Sequence, residues 1–242
     1  MRRYSASIQT LGWLFRDQTF VSPDYQREFC WEKEKIDELI DSLSKEFFRQ
    51  FSPGHSNAII AGYDEYFLGR IVVVPQGKFK FVLDGWQRIV GLTLLLIYFD
   101  RQLASTGCFG ASPASLISHQ RSGKRSIHLE CKRIGAAVQS ILDGTHHDFV
   151  DDDIAVANIK ECYKHFENSG LFQALGKSVA EFLFFLKTKV VFEEFVADGE
   201  NAFLYVFSLL NSEGRTLSPK EVAIAAQMAA SSVPIDTALS QE

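Results

Sequence analysis

Asp84-Gly85-Trp86-Gln87-Arg88 gathers a carboxylate, a glycine, an amide and a guanidinium at the junction of two segments with opposite patterns. Before it, Phe79, Phe81 and Leu83 alternate with Lys80, Val82 and Asp84, which reads as a half-buried strand. After it, from about Ile89 to Phe99, the chain is apolar nearly all round, which predicts a buried helix. Such a join suits an anion. Glycine at the mouth of a helix lets a ligand approach the backbone, and the helix start offers N–H groups and a positive dipole end. Arg88, one turn in, adds a fixed fork of donors that matches a phosphate. The same residues also fit a capping box, with Asp84 as N-cap and Gln87 at N3, Gly85 serving the turn and Arg88 an ion pair. From the residues alone both readings stand.

The other chemistry-bearing clusters are weaker. Cys30, Cys108, Cys131 and Cys162 form no CxxC pair, so they read as free thiols of a reducing compartment. His146-His147-Asp148 is the densest histidine cluster, but neighbouring side chains diverge, and a surface loop is the expectation there. No metal site is expected. Arg121, Lys124, Arg125, Lys132 and Arg133 form a basic stretch, read either as a solvated loop or as a nucleic-acid contact.

Composition bounds the class. The chain is 46% hydrophobic with 21 Phe, ample for a core and against disorder. Its net charge of −5 provides no global field for nucleic acid. The N-terminus leads into no signal-like apolar run, and Leu92–Phe99 is too short to span a bilayer. A cytoplasmic protein with no membrane partner is expected.

The elements that must position the turn follow from period and breakers. Gln18–Ser22 reads as a short strand, and Trp31–Phe48 as an amphipathic helix carrying Ile36, Leu39, Ile40, Leu43 and Phe47. Tyr66–Val74 and Phe79–Leu83 form an antiparallel hairpin around Pro75–Lys78. Ser105–Ser126, rich in Ser, Gly, Ala and Pro, is a connector. Beyond it, helices are predicted over Ile154–Asn168, Leu171–Lys187 and Glu200–Leu210, with a strand at Lys189–Ala197. A turn over Asn211–Pro219 then leads to a helix capped by Ser218, with Pro219 at N1 and Glu221 at N3. The fold class is therefore α+β. A mixed lobe (1–104), a connector (105–126) and a mostly helical lobe (127–242) are expected.

Three separated pieces coincide in order and spacing: Tyr25-Gln26-Arg27 followed by Trp31 and its helix; Tyr66-Phe67-Leu68-Gly69 leading to Asp84–Arg88; and Phe207-x-x-Leu210-Asn211-x-x-Gly214-x-x-Leu217-Ser218. Together, over about 200 residues, they resemble the N-terminal domain family of the GmrSD restriction endonucleases, a branch of the ParB/sulfiredoxin-like fold. The resemblance implies a ParB/sulfiredoxin-like lobe that binds a nucleoside triphosphate with Mg²⁺ and can hydrolyse it, in a bacterial restriction or anti-phage defence system. Carried over residue by residue, it assigns catalysis to Asp84, Gln87 and Arg88. Nucleotide binding falls to Tyr25, Gln26, Arg27, Gly85, Trp86, Asn211 and Gly214. Arg27 would hold a phosphate, Gln26 would orient a water or a base edge, and Asp84 would bind Mg²⁺ or activate water. Asn211-x-x-Gly214 equally fits a helix C-terminus.

Two departures matter. The family's first glutamine in the Asp-Gly-Gln-Gln-Arg turn is Trp86 here. If that glutamine positions the attacking water, hydrolysis weakens while binding survives, and the indole can stack on a base instead. No His-rich nuclease motif is present, so DNA cleavage by this chain alone is not expected. The implied partners are the nucleotide and either DNA or a separate nuclease subunit. A non-catalytic interaction module and a ParB-like nuclease acting directly on DNA are the alternatives.

Overall fold

Alternation and helical period place the elements much as the pattern predicts. The computed structural model describes residues 4–22, 29–107, 109–121, 124–146 and 153–197. In chain order the first elements are β1 (Tyr4–Thr10), α1 (Leu11–Leu14), β2 (Thr19–Val21), α2 (Lys33–Gln50), α3 (Asn57–Ile60), β3 (Tyr66–Gln76), β4 (Phe79–Asp84) and α4 (Trp86–Thr106). They are followed by α5 (Ala114–Ile117), β5 (Ser118–Arg121), β6 (Lys124–Ile127), β7 (Leu129–Glu130), α6 (Gly135–Asp143), α7 (Ile154–Asn168), α8 (Leu171–Leu175), α9 (Val179–Lys189) and β8 (Val190–Ala197).

The expected α+β class holds. A mixed sheet runs in the order β1-β8-β3-β4-β2-β7, and β5–β6 form a separate hairpin. β3 and β4 are antiparallel, as the hairpin pattern predicts, and Gly77 turns between them at φ 60°. β8, from far along the chain, lies between β1 (antiparallel) and β3 (parallel). The stretch around Ser105–Ser126 is not plain connector, since it holds α5, β5 and part of β6.

Burial follows the two periods. In α2 the predicted stripe Ile36, Leu39, Ile40, Leu43 and Phe47 is buried. α4 is buried on nearly every side, with Ile89, Val90 and Leu92 through Phe99 all inside, so it runs through the core rather than over it. Along β3, Ile71 and Val73 join this main core, while Val72 and Val74 pack with Leu83, Phe195 and Ala197 on the other sheet face.

Three expectations need correction. Leu171–Lys187 is not one helix: Gly176 sits at φ 53°, ψ −120°, outside helical space, and α8 and α9 separate there. Asp84 does not cap α4. Gly85 is the N-cap at φ 90°, with no side-chain cap bond, and Asp84 remains the last residue of β4. His146 is not on a surface loop. It is buried with its ring edge-on to Tyr163 at 5.3 Å. The helices read over Glu200–Leu210 and after Ser218 lie outside the described residues.

Candidate functional site

The turn between β4 and α4 is shaped by two glycines. Gly85 adopts a left-handed φ of 90°, and a Cβ there would lie 2.7 Å from Ile71 Cγ2 on the adjoining strand. Only glycine permits both the backbone angle and the approach. Gly69, the glycine of Tyr66–Gly69, has φ 123° beside an irregularity in the β3–β8 register. A Cβ on it would lie 3.0 Å from Arg88 Cζ. The guanidinium therefore lies flat against the bare backbone of β3, and Nη1 donates to the Arg70 carbonyl at 3.0 Å. The glycine of one motif is the seat of the arginine of the other.

Burial shapes the charge of this seat. Arg88 is half-buried. Its pKa is lowered from the usual arginine value, chiefly by loss of hydration and partly offset by the nearby Asp84 carboxylate. It remains a cation at any physiological pH. A desolvated cation at a helix start is suited to an oxyanion.

Arg70, whose carbonyl holds Arg88, also forms a charge pair with Glu193, and the sequence reading missed both residues. Arg70 Nε donates to Glu193 Oε2 at 2.6 Å, across directly paired positions of β3 and β8. Arg70 shares the parity of Val72, and Glu193 that of Phe195, so this pair lies on the sheet face away from the main core, while Asp84 meets β3 at Val72 beside a register irregularity. The available signal was local: Arg70 follows Gly69 directly, and Glu193-Glu194 interrupts an otherwise apolar strand.

Gln87 points elsewhere. Its Oε1 accepts from the Cys30 backbone N–H at 3.0 Å. Asn158 Nδ2 of α7 donates to the Phe29 carbonyl at 3.1 Å, and Cys162 Sγ donates to the Trp31 carbonyl at 3.2 Å. The Trp31 ring presses on α4 at Gly91. Residues 29–31 are thus fastened to α4 and α7 at successive main-chain groups. Trp86 is 3% exposed and part of the main core, so its indole packs inward rather than offering a face to a base. Tyr25, Gln26, Arg27, Asn211 and Gly214 lie outside the described residues. The basic stretch is partly committed to structure: Arg125 pairs with Asp100 at 2.8 Å and Arg133 with Asp153 at 2.7 Å.

Among the described residues no group of three or more His, Cys, Asp or Glu could hold a metal ion. None of their helices is long and apolar enough to cross a membrane.

A mixed sheet with a glycine-opened strand-to-helix turn and a seated arginine defines a class of α+β domain. The match to a family model makes it specific: residues 11–226 match the GmrSD restriction endonuclease, N-terminal domain, and the chain belongs to that family. Membership makes it a component of a restriction or defence system. No curated protein matches it.

Proposed function

We propose that this chain is the nucleotide-binding, sensing component of a DNA-restriction system, with the triphosphate held at the β4–α4 turn. The observation that carries the reading is Arg88, desolvated and laid on the backbone of Gly69 at the start of a 21-residue helix. The helix start and the guanidinium together supply what a phosphate needs. In the sequence Arg27 stands three residues before Cys30, whose backbone N–H Gln87 holds. That supports a shared site for the Tyr25–Arg27 and Asp84–Arg88 motifs.

Mg²⁺ enters such sites with the phosphates and needs only one or two protein carboxylates. Asp84 beside Arg88 fits that need, and bound Mg²⁺ would neutralise phosphate charge. Hydrolysis is the finer question. Trp86, buried in the core, cannot replace a glutamine that orders water, which favours binding coupled to sensing over rapid turnover. A separate nuclease subunit or DNA would then read the nucleotide state.

Calorimetry with ATP, GTP and CTP plus Mg²⁺, on wild type and on Arg88→Ala and Arg88→Lys, tests this. Loss of a bidentate phosphate contact should weaken binding about tenfold or more in both variants. A wild-type chain that binds none of the three, or an Arg88→Ala variant that binds as tightly, overturns it. Phosphate release measured on wild type and Asp84→Ala then decides between binding alone and turnover.

A further inference from the structure

The far half of α4 forms one wall of a cleft of about 750 Å³. From Trp86 to Leu103 the helix rises about 25 Å, so this cleft is remote from the β4–α4 turn. Its floor is apolar, with Leu96 and Leu103 of α4, Leu116 of α5, and Leu183 of α9. The break between α8 and α9 lies on its wall, where Gly176 and Lys177 line it. Added Cβ atoms at Gly110 or Gly176, both on its wall, would meet nothing within 4 Å.

Among the described residues the charges at this cleft carry one sign: Lys177 and Lys187 line it, and no Asp or Glu does. Among the described residues neither lysine has a carboxylate partner. In a chain of net charge −5, two unneutralised lysines over an apolar floor are a local exception. The volume lies within the range of about 300–1,000 Å³ typical of small-molecule sites.

We propose that this cleft is a second binding site, for a small anionic amphiphile: an alkyl chain or ring bearing one carboxylate, phosphate or sulfonate. The apolar part lies on Leu103, Leu116 and Leu183. The anion sits at the mouth between Lys177 and Lys187, where their charge is not offset.

The test uses the full chain and the fluorescent probe 8-anilinonaphthalene-1-sulfonate, which has this chemistry. One saturable site is expected. Decanoate or decyl phosphate should displace the probe at concentrations at least about tenfold below those needed for decanol, which has the chain without the charge. Displacement by only one of the anions identifies the headgroup. Lys177→Glu should weaken probe binding about tenfold or more, and Ala180→Trp should fill the cleft and abolish it. Both positions are exposed, so the melting temperature should hold. Non-saturable binding, decanol competing as well as the anions, or unchanged binding in Ala180→Trp overturns the proposal.

Discussion

His128 shows how one side chain can make stability depend on pH. It is 4% exposed, and its Nδ1 has no partner among the described residues. Burial, and then the stacked His119 ring at 5.2 Å, hold its pKa below the usual value. The unfolded chain therefore takes up the proton first. The contribution of neutral His128 is whole above about pH 6.5 and is lost as pH falls from there through the folded pKa. Urea unfolding between pH 5 and 8 should show wild type losing up to about 1.4 kcal/mol per pH unit below 6.5, while His128→Leu loses less. Equal slopes would refute this role. Cys162 is a second case. Burial pushes its thiol up to about 12, whereas Cys30 is exposed. The thiolate is the reactive form. At pH 8, N-ethylmaleimide followed by mass spectrometry should find Cys30 labelled well before Cys162, and the reverse order would refute the packing of residues 29–31 against α7. The sequence showed these cysteines only as isolated thiols. Which one is buried depends on α7 meeting Trp31 across 131 residues, and no local pattern carries that.

At the scale of elements, the β4–α4 junction was legible because strand, turn and helix are contiguous and their periods differ. Its fine structure was not. Asp84 and Gln87 have capping-box spacing, yet Gly85 takes the cap at a left-handed angle and Gln87 bonds Cys30 instead. The tertiary contact with residues 29–31 outcompetes the local cap. Arg70 and Glu193 went unread for the same reason, since strand register 123 residues apart brings them together. β1 also escaped. It is a polar edge strand, recognisable only from its pairing with β8. The junction makes a definite prediction. In Gly85→Ala, the left-handed backbone costs about 1–2 kcal/mol, and the crowding against Ile71 adds about 1–3 kcal/mol. Denaturant unfolding should show a loss of about 2–5 kcal/mol, with nucleotide binding weakened in the protein that remains folded. A loss under about 0.5 kcal/mol would mean that the turn is not fixed by this glycine.

At the scale of the whole molecule, the question is what fixes β8 between β1 and β3. Apolar residues alone do not specify a register, because a two-residue slip keeps the same face inward. Glu194 does specify it. It is buried at 3% exposure on the core face of β8 and reaches across β3 to Lys80 of β4, with Nζ to Oε1 at 2.6 Å and the Trp13 ring 5.6 Å from the ammonium. Slipping β8 by two residues in either direction would separate two buried charges. The pair also joins positions 114 residues apart, binding the later part of the chain to the hairpin that carries Asp84. Glu194→Ala strands the lysine charge and should cost about 3–5 kcal/mol in denaturant unfolding, because a buried ion without its partner is expensive. Replacing both, as Lys80→Met with Glu194→Leu, should restore most of that loss or exceed wild type, since two apolar side chains escape the desolvation penalty. If the pair sets register, the double variant should regain stability yet bind nucleotide more weakly than wild type. β8 would then no longer hold β3 in step where the Arg70 carbonyl seats Arg88. A double variant that recovers both stability and binding would mean that apolar packing alone fixes β8, with the ion pair dispensable.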